Sequence, residues 1–498
     1  MKHKVSKSAF MLSHQCLKAI HLHYNNAQLK KPLSIDQQAI VDRGTQVGLM
    51  ARDLLFPGGI DLTQGGKIVM PELLDATKKA LSERTSGIYY EAGFASKNLS
   101  LRFQADIFVE SADGAKIIEV KSSTSIKDEY ILDLGFQFFT LRQSGYQKPV
   151  ECYIAHLNGS YVRQGEITSE LFTVENVTQR VLDSQEKIKY HVLQIESTLE
   201  NPTAPSMAIS EYCHKPYQCP FHDFCHKDVP ELSVLNIGRL RKRKAYELYN
   251  SGFIELSDIP KDIQMSDKQW TEVQSAVNES PFMDHKELKN FLAGLQEPLH
   301  FMDFESIQGI AKYEGTGVYQ QICFQYCVMT RLKKGGEIIQ KDFLADHSID
   351  PRRQFIERLL EDTKESGDIV VYNKLFEIGR LQELANQFPE FKSEIFQRIT
   401  RIKDLMIPFG KRWFYSHLQK GSHSIKAVLP VLVPSLSYSN LEINNGALAS
   451  VMYEQIDQYP QQKQKEIRNA LLVYCGQDVK AMIEILDALR KITSTKQK

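Results

Sequence analysis

The sequence predicts a protein of mixed α/β class with several domains, and three observations support this. The chain has 498 residues, a length that corresponds to about three domains of ordinary size. Segments that alternate apolar and polar residues, such as LSLRFQADIFVES and AKIIEVKSS, stand beside helical patterns such as DLGFQFFTLRQSGY. Hydrophobic residues make up 42% of the chain and charged residues 24%, which is typical of a globular protein and not of a disordered chain.

The charge balance and the apolar segments indicate in which compartment the protein works and which partners it has. Lys plus Arg and Asp plus Glu number 61 each, so the chain has no overall basic coat, although local basic grooves remain compatible with this balance. No apolar run reaches the ~20 residues of a membrane helix, and the start MKHKVSKSAF lacks the apolar core of a signal peptide. We therefore expect a cytoplasmic protein without a membrane partner. Eight cysteines are too few for a disulfide scaffold.

A predicted hairpin in the first half of the chain carries charged residues. Its two strands, LSLRFQADIFVES and AKIIEVKSS, are joined by the turn signal SADGA. Glu119 and Lys121 are two positions apart and share a face of the second strand, and Asp106 on the first strand can reach that face. Two acids and a lysine in this pattern can hold Mg²⁺ and orient an attacking water. The alternative is an exposed strand edge with alternating charges. Gln137, on the amphipathic helix that follows, can face the same site.

Three cysteines form a second cluster in the segment YCHKPYQCPFHDFCHK, with five residues in each gap: Cys213, Cys219 and Cys225. A fourth, Cys16, lies near the N-terminus. The Pro-, His- and aromatic-rich segment does not read as a core strand or helix, which favours metal ligation. Spacing alone leaves three possibilities: an iron-sulfur cluster, a zinc site helped by His214 or His222, or no metal. Five-residue gaps with a remote fourth ligand suit the cluster best.

The middle of the chain, residues 228–296, is predicted to be a helical linker. A basic cluster lies at a predicted helix start and contains Arg239, Arg241, Lys242, Arg243 and Lys244. It resembles a helix-hairpin-helix element, which holds a phosphate backbone without reading sequence. A connecting helix with a solvated basic face explains the pattern equally well.

A second set of carboxylates begins in FMDFES, where Asp303 and Glu305 share one face of an apolar strand. Two like charges side by side in a core strand require a compensating cation, because burial and repulsion otherwise force one group to hold a proton. A divalent metal ion is the obvious candidate. A mixed α/β core with surface acids would not explain this pair.

Further acids lie later in the chain. Glu377 lies near the start of the helix that follows the strand in SGDIVVYNKLFEIGRL, and Tyr474 and Asp478 lie four apart on one face of the helix ALLVYCGQDVKAMIEIL. Four carboxylates from separate segments can hold two Mg²⁺ or Mn²⁺ ions ~4 Å apart for in-line attack on a phosphodiester. Tyr474 would then position the attacking water.

Residues 1–227 resemble RecB-type PD-(D/E)xK nuclease domains that carry an iron-sulfur cluster, as in CRISPR-associated adaptation nucleases. The resemblance implies a restriction-endonuclease-like fold. It also implies a 4Fe-4S cluster whose ligands precede and follow the core: Cys16, Cys213, Cys219 and Cys225. The implied catalytic residues are Asp106, Glu119, Lys121 and Gln137. Two positions depart from the family, since Gly48 stands where a histidine is common and Leu141 where a tyrosine is. Metal binding then rests on Asp106 and Glu119, with help from Glu91.

Residues 297–498 are similar to DnaQ-like exonucleases of the RNase H fold, in the tyrosine variety of the DEDD group. FMDFES, YNKLFE and YCGQD match the three exonuclease motifs, with Glu377 where many relatives have aspartate. The resemblance implies 3'-5' exonuclease activity with Mg²⁺ or Mn²⁺. The whole chain looks like a bacterial family that fuses the two nuclease domains, which GSHSIKAVLPVLVPSLSYSNLEINNG also fits.

The resemblance therefore implies a two-site, metal-dependent nuclease acting on DNA ends or single-stranded DNA, in repair, processing or defence. The expected domains are 1–227, the linker 228–296, and 297–498. Two alternatives remain: a nucleic-acid-binding component with one or both sites inactive, and an RNA exonuclease.

Overall fold

The computed structural model describes residues 4–66, 68–98 and 100–494. This part of the chain is mixed α/β with open sheets. It divides into two compact units: the first takes the chain as far as Asp228 with Thr316–Val318, and the second takes Val229–Gly315 and the chain from Tyr319 onward. Each unit has a hydrophobic core of its own.

The first unit is built on one sheet. Its elements are β1 (Val5–Ser6), α1 (Lys7–Gln15), α2 (Leu17–Asn25), α3 (Ile35–Leu55), β2 (Ile60–Asp61), α4 (Met70–Glu83), β3 (Gly87–Ala95), β4 (Leu101–Glu110), β5 (Ala115–Lys121), α5 (Asp128–Ser144), β6 (Val150–Leu157), β7 (Phe172–Asn176), α6 (Thr178–Asp183), α7 (Gln185–Glu200) and α8 (His222–Cys225). The strands are ordered β2-β3-β4-β5-β6-β7, and β1 pairs with β4. The pair β4–β5 is antiparallel, as the predicted hairpin requires. The pair β3–β4 is also antiparallel, and β5–β6 is parallel.

The sequence pattern explains how this sheet presents charged residues at one end. Along β4, Leu101, Phe103 and Ala105 are buried and alternate with partly exposed residues. The antiparallel pairing matches Ile107 with Ile118. The next residues in each strand are Asp106 and Glu119, so the register brings the two carboxylates to adjacent positions.

Helix α5 follows β5 and covers the sheet. Asp128 and Glu129 lie in its first turn, where acidic side chains favour the positive end of the helix dipole. The helix stops at Gly145, which has a φ of 96°, a left-handed conformation that glycine adopts without a Cβ clash. Leu134 and Phe136 are fully buried against the core. The packing of α5 fixes the direction in which its polar residues face the end of β5.

The second unit contains a five-stranded sheet. Its elements are α9 (Lys242–Asn250), α10 (Asp267–Val277), β8 (Phe282–Met283), α11 (His285–Ala293), β9 (Leu299–Ile310), β10 (Val318–Arg331), β11 (Ile338–Leu344), α12 (Arg352–Asp362), β12 (Asp368–Val371), α13 (Lys374–Gln387), α14 (Lys392–Thr400), β13 (Ile402–Asp404), α15 (Ile407–Gly410), β14 (Phe414–Tyr415), α16 (Ile425–Leu432), α17 (Gly446–Glu454) and α18 (Gln461–Ser494). The sheet order is β11-β10-β9-β12-β13, and β14 pairs with β8 separately. β12 is parallel to both β9 and β13.

Strand β9 lies at the centre of this sheet and is buried along most of its length. Helices α17 and α18 both contact it. Leu299, Phe301 and Ile307 are fully buried, and Phe304 is 4% exposed. A charged residue placed on this strand therefore loses most of its hydration, which makes the two acids of FMDFES energetically expensive.

The segment predicted as a linker packs within the second unit. Glu272 on α10 accepts hydrogen bonds from Arg412 Nε at 2.8 Å and Arg412 Nη2 at 2.6 Å, and its other oxygen accepts from the Gly238 N–H at 2.6 Å. Both side chains of this ion pair are buried. The pair joins residues 140 positions apart, so α10 belongs to the same packed body as the chain that follows α15.

The basic cluster of this segment lies at the surface. Arg239, Arg241, Lys242 and Arg243 are exposed, and Lys244 is half-buried. Arg243 pairs with Glu247 one turn along α9, at 2.8 Å, and Lys244 donates to the Gln264 carbonyl at 2.5 Å.

Among the helices that the structure describes, none has the length and apolar character needed to cross a bilayer.

We expect the buried ion pair to contribute strongly to the stability of the second unit. Glu272→Ala leaves the Arg412 guanidinium buried without its partner, which should lower the free energy of unfolding by about 3–5 kcal/mol. Glu247→Ala removes an exposed ion pair and should cost less than about 1 kcal/mol. Urea denaturation of both variants checks this, and equal losses would contradict a structural role for the buried pair.

Candidate metal sites

The first site is organised around Glu119 at the end of β5, which is 1% exposed. Its Oε1 accepts hydrogen bonds from Lys121 Nζ at 2.7 Å and Lys7 Nζ at 2.9 Å, and Lys7 also reaches Oε2 at 3.1 Å. Gln137 Nε2 donates to Oε2 at 2.5 Å. The structure therefore brings together the predicted Glu119, Lys121 and Gln137, and adds the amine of Lys7.

Two further carboxylates complete this site. Asp106 Oδ1 lies 3.8 Å from Lys7 Nζ, and Asp106 Oδ2 accepts from the Val120 N–H at 2.8 Å. Asp133 on α5 accepts from Lys121 Nζ at 2.7 Å and from Gln137 Nε2 at 3.3 Å. The strand pattern identifies neither Lys7 nor Asp133. The position of Asp133, four residues before Gln137 on one helix, is the signal that could have found it.

The charges of the first site are largely compensated by lysines. Burial disfavours the charged form of Glu119, but Lys121 and Lys7 outweigh it and hold the pKa of this carboxyl well below its usual range. Burial raises the pKa of Asp106, and the neighbouring Glu119 raises it further. Burial likewise opposes the charge of Lys7, yet the surrounding acids Asp133, Glu119 and Asp106 keep its pKa well above the usual value. Lys7 thus lies between the acids that were predicted to hold a metal ion.

Three other positions bear on metal binding at the first site: Glu91, Gly48 and Leu141. Glu91 forms an ion pair with Arg52. A side chain at Gly48 would meet no atom within 4 Å of its Cβ, and Leu141 is fully buried in the core. The carboxylates that could hold a metal ion at the first site are therefore those of Asp106, Glu119 and Asp133.

The four predicted cysteine ligands line a single pocket. Cys16 separates α1 from α2, and the backbone N–H of Cys219 donates to the Cys213 carbonyl at 2.9 Å. The neighbouring Gln15 donates from Nε2 to the carbonyls of Tyr212 and Tyr217, both at 2.7 Å. These bonds fasten the cysteine-rich segment to α1, so the start and the end of the first unit meet at this pocket.

The chemistry of the pocket suits a metal cluster. Burial raises the pKa of Cys16, and the nearby Cys225 raises it further. Burial also raises the pKa of Cys219, and with the other three cysteines it brings this pKa to about 11. Thiolates in this pocket therefore need a cationic partner. The described groups of ligand atoms that lie within 4.8 Å of one another do not include these sulfurs. One tetrahedral zinc ion with Zn–S bonds of about 2.3 Å would need all four sulfurs about 3.8 Å apart.

The second site joins β9 to α18. Carboxylate oxygens of Asp303, Glu305 and Asp478 lie within 4.8 Å of one another, as expected from the shared strand face of the first two. The three acids line an open cleft together with Tyr474 and Tyr372. Because oxygen ligands at this spacing can converge on one ion, the arrangement is suited to Mg²⁺ or Mn²⁺.

Two residues that the sequence pattern did not identify support Asp478. Tyr438 donates from its hydroxyl to Asp478 Oδ1 at 2.5 Å, and the hydroxyl of Tyr474 also bonds this carboxylate. Lys426, at the start of α16, has its Nζ 5.3 Å from the ring centroid of Tyr438 and 5.4 Å from that of Tyr474. The same Nζ donates to the Asn444 carbonyl at 2.6 Å. Lys426 and Tyr438 both lie in GSHSIKAVLPVLVPSLSYSNLEINNG, a segment that resembles the family as a whole. No spacing of residues within this segment predicted a role for either side chain.

Glu377 does not join this group. It lies in the first turn of α13, is 2% exposed, and its Oε2 has no hydrogen-bond partner among the described residues. Burial raises its pKa well above the usual value, and Asp303 raises it further. Glu377 is therefore close enough to sense the charge of Asp303, but its carboxylate is not one of the three that converge.

The charges of the second site are poorly compensated. Burial and then Asp478 raise the pKa of Asp303 well above its usual value, and burial, Asp303 and Asp478 do the same for Glu305. Burial also raises the pKa of Asp478, although the hydroxyls of Tyr438 and Tyr474 partly oppose this. Lys426 lowers the pKa of all three acids but is the weaker influence. Without a bound cation, burial and mutual repulsion therefore keep the pKa values of these acids above their usual range.

Comparison with known proteins gives two matches. Residues 300–424 match a family model described as a domain of unknown function, DUF2779. This range includes Asp303, Glu305 and Glu377 and ends before Lys426. The chain is also similar to the uncharacterized protein UU173 of Ureaplasma parvum serovar 3, with 26% identity over 227 residues, 41% of this chain and 33% of that protein. The match thus covers about a third of the length of that relative.

We expect the metal-free protein to lose stability as the pH rises. Asp303 and Glu305 bind protons more tightly in the folded protein than in the unfolded chain, so stability falls once the pH passes their ordinary values of 3.8 and 4.5 and continues to fall towards the raised values. Asp303→Asn should flatten this fall and stabilise the protein in EDTA at pH 8 by about 1 kcal/mol or more. Urea denaturation at pH 5 and pH 8 measures this, with the exposed Glu394→Gln as the control. An unchanged pH dependence in Asp303→Asn would be the contrary result.

We expect Lys7 to compete with metal ions at the first site. Lys7→Met removes the amine between Asp106 and Glu119, so the metal-free protein should become less stable and Mn²⁺ should restore more stability than it does in the wild type. Thermal unfolding with and without Mn²⁺ measures both effects. Lys116→Met, an exposed lysine of the same sheet, is the control. If Mn²⁺ shifts both variants and the wild type equally, Lys7 does not occupy the place of the ion.

Proposed function

We propose that this protein is a metal-dependent nuclease with two phosphodiester-cleaving sites, and that the second site is a 3'-5' exonuclease. The observation that supports this most directly is the convergence of Asp303, Glu305 and Asp478 within 4.8 Å in an open cleft. Buried acids without a matching set of basic side chains are costly as a purely structural feature. Divalent ions remove that cost and supply the chemistry of phosphodiester hydrolysis.

At the second site, Asp303, Glu305 and Asp478 would hold the metal ions. The ions would activate water and stabilise the charge that develops on the phosphate. Tyr438 holds Asp478 in place through its 2.5 Å hydrogen bond, and Tyr474 stands on the same helix at the cleft, where its hydroxyl can orient a water molecule. Lys426 supplies a positive charge beside the acids and is suited to a substrate phosphate. Glu377 completes a two-ion site if its carboxylate turns towards Asp303.

At the first site, Asp106, Glu119 and Asp133 would hold Mg²⁺ or Mn²⁺, and Lys121 and Gln137 would orient the attacking water. The site is assembled from one hairpin and the following helix, which agrees with the PD-(D/E)xK pattern of residues 1–227. The central, acid-bearing strand β9 likewise supports an RNase H-like fold for the second unit. These two fold assignments are part of the proposal.

An iron-sulfur cluster, 4Fe-4S, is proposed for the pocket of Cys16, Cys213, Cys219 and Cys225. When bound, it would link the two ends of the first unit, which the Gln15 hydrogen bonds already bring together. Thiolates of this kind stay reduced in the cytoplasm, which is the proposed location.

The proposed substrate is nucleic acid, with DNA ends or single strands preferred. A nucleic-acid-binding component is the second candidate for the first unit alone, because the ion pairs of Lys7 and Lys121 with Glu119 neutralise its carboxylate without a metal. The second unit has no comparable compensation among its described residues, which favours activity there.

The cluster proposal predicts a visible property. Protein purified without oxygen should be brown and contain about four irons per chain, and Cys219→Ala should bleach it and destabilise the first unit. Cys152→Ala, a buried core cysteine away from the pocket, should keep the iron. Iron analysis and the visible spectrum measure this, and stoichiometric zinc without iron in the wild type would reject the cluster.

The nuclease proposal is tested with single-stranded DNA and RNA labelled at either end, in Mg²⁺, Mn²⁺ or EDTA. Asp303→Ala should reduce removal of 3' nucleotides by about 10²- to 10³-fold, because an ion is lost. Tyr474→Phe should lose less, about tenfold, because the ions remain and only water positioning suffers. Lys121→Ala should remove a separate cleavage with little effect on nucleic-acid binding.

Glu394→Gln, which changes an exposed acid far from the three converging residues in sequence, serves as the matched control. Trimming of 3' ends that persists in excess EDTA, or full trimming by a folded Asp303→Ala protein, would show that the carboxylates of the second site are structural. Cleavage of RNA but not DNA would keep the mechanism and change the substrate class.

A further inference from the structure

Three histidines of the cysteine-rich segment form a cluster that the proposed nuclease does not use. Ligand atoms of His214, His222 and His226 all lie within 4.8 Å of one another, and all three side chains are half-buried. The ring centroids of His222 and His226 are 3.8 Å apart, and His214 lies 5.0 Å from His222 and 6.1 Å from His226. Two of these residues are four positions apart, the spacing at which a helix presents two ligands on one face.

Hydrogen bonds from Nδ1 orient two of the three rings, those of His222 and His226. His226 Nδ1 lies 3.0 Å from the His222 carbonyl, and a carbonyl oxygen only accepts. His226 Nδ1 therefore carries the proton, and Nε2 carries the lone pair of the neutral ring. His222 Nδ1 lies 3.3 Å from Asp223 Oδ1, a carboxylate that Lys31 holds at 2.8 Å. A histidine that donates one N–H to a carboxylate or a carbonyl is the usual arrangement behind a metal ligand.

We propose that His214, His222 and His226 bind one divalent transition-metal ion without a cysteine ligand, with Zn²⁺ as the best fit, although His222 also lines the cysteine pocket. Imidazole nitrogens suit zinc, and three protein ligands leave a fourth position for water. The ligand nitrogens of a tetrahedral zinc ion lie about 3.4 Å apart, so side chains whose ligand atoms lie within 4.8 Å of one another would have to approach further. The rings of His222 and His226, which are stacked at 12° to one another, would also have to turn towards the ion. No cysteine belongs to this described group, which distinguishes it from a zinc site that shares sulfur ligands.

The local structure gives the ion something to stabilise. Helix α8 has only four residues, fewer than an isolated helix needs to persist in water. An ion bound by His214 and by both ends of α8 would cross-link the segment that carries Cys219 and Cys225. His222 also lines an open cavity that includes His23 and Lys31, so an ion has a path from solvent. This inference stands whether or not the protein cleaves nucleic acid.

The test uses the full-length protein, loaded with Zn²⁺ and then dialysed, with zinc and iron counted in the same sample. We expect one tightly held zinc per chain, and X-ray absorption at the zinc edge should show nitrogen neighbours at about 2.0 Å and no sulfur at about 2.3 Å. His226→Ala should weaken zinc binding by at least about 100-fold and leave iron unchanged, while His285→Ala, at a half-buried histidine of the second unit, should bind zinc like the wild type.

A second variant keeps the test valid if removal of a ligand disturbs folding. Asp223→Asn retains all three histidines and weakens the hydrogen bond behind His222 together with the exposed ion pair to Lys31, so zinc affinity should fall about 10- to 100-fold with the far-ultraviolet circular dichroism unchanged. Zinc–sulfur neighbours in the wild type, or equal zinc affinity in wild type and both cluster variants, would overturn the proposal. If the wild-type protein shows no nuclease activity or contains no iron, but binds zinc through nitrogen, the proposed function is contradicted and the zinc site remains.

Discussion

Buried negative charge is the constraint on which both candidate sites depend. Glu119 and Glu305 each lie on a central strand and have lost most of their contact with water. A carboxylate in that position must be paired, protonated or bound to a cation. The first unit meets the requirement with lysines, since Lys7 and Lys121 both contact Glu119. In the described part of the second unit, Lys426 is the cation that opposes the effect of burial at all three acids, yet the pKa values of Asp303 and Glu305 remain well above their usual range.

Because of this difference, a metal ion would have to compete with a different cation at each site. In the first unit, an ion has to displace or tolerate the amine of Lys7, so occupancy there depends on competition between two cations. In the second unit, an ion would instead compete with protons, because burial raises the pKa values of Asp303 and Glu305 well above their usual range. A packed helix positions the acids in each unit. Helix α5 fixes the polar residues that face β5, and α18 places Asp478 beside β9. The cysteine pocket and the histidine cluster share no residue with these carboxylate sites, and the roles proposed for them are structural.

The sequence predicted those parts of the sites that follow from local periodicity. Asp303 with Glu305, and Glu119 with Lys121, are two apart on strands, and Tyr474 with Asp478 four apart on a helix, so backbone geometry alone places each pair together. The mixed α/β class followed from the same patterns. Contacts between distant segments were not predictable, because nothing local encodes them: Lys7 meets Glu119 across 112 positions and Tyr438 meets Asp478 across 40. Glu377 shows the converse, since a matching motif placed it near Asp303 without making its carboxylate converge.

The most direct test of this account is the number of protons released when Mn²⁺ binds. Calorimetric titration at pH 7 in two buffers of different ionisation enthalpy gives that number for the wild type and for Asp303→Asn. If the acids of the second site hold protons until a cation arrives, the wild type should release about one proton or more for each ion bound there, and Asp303→Asn should bind fewer ions and release fewer protons. Mn²⁺ binding without proton release, and unaffected by Asp303→Asn, would contradict the account.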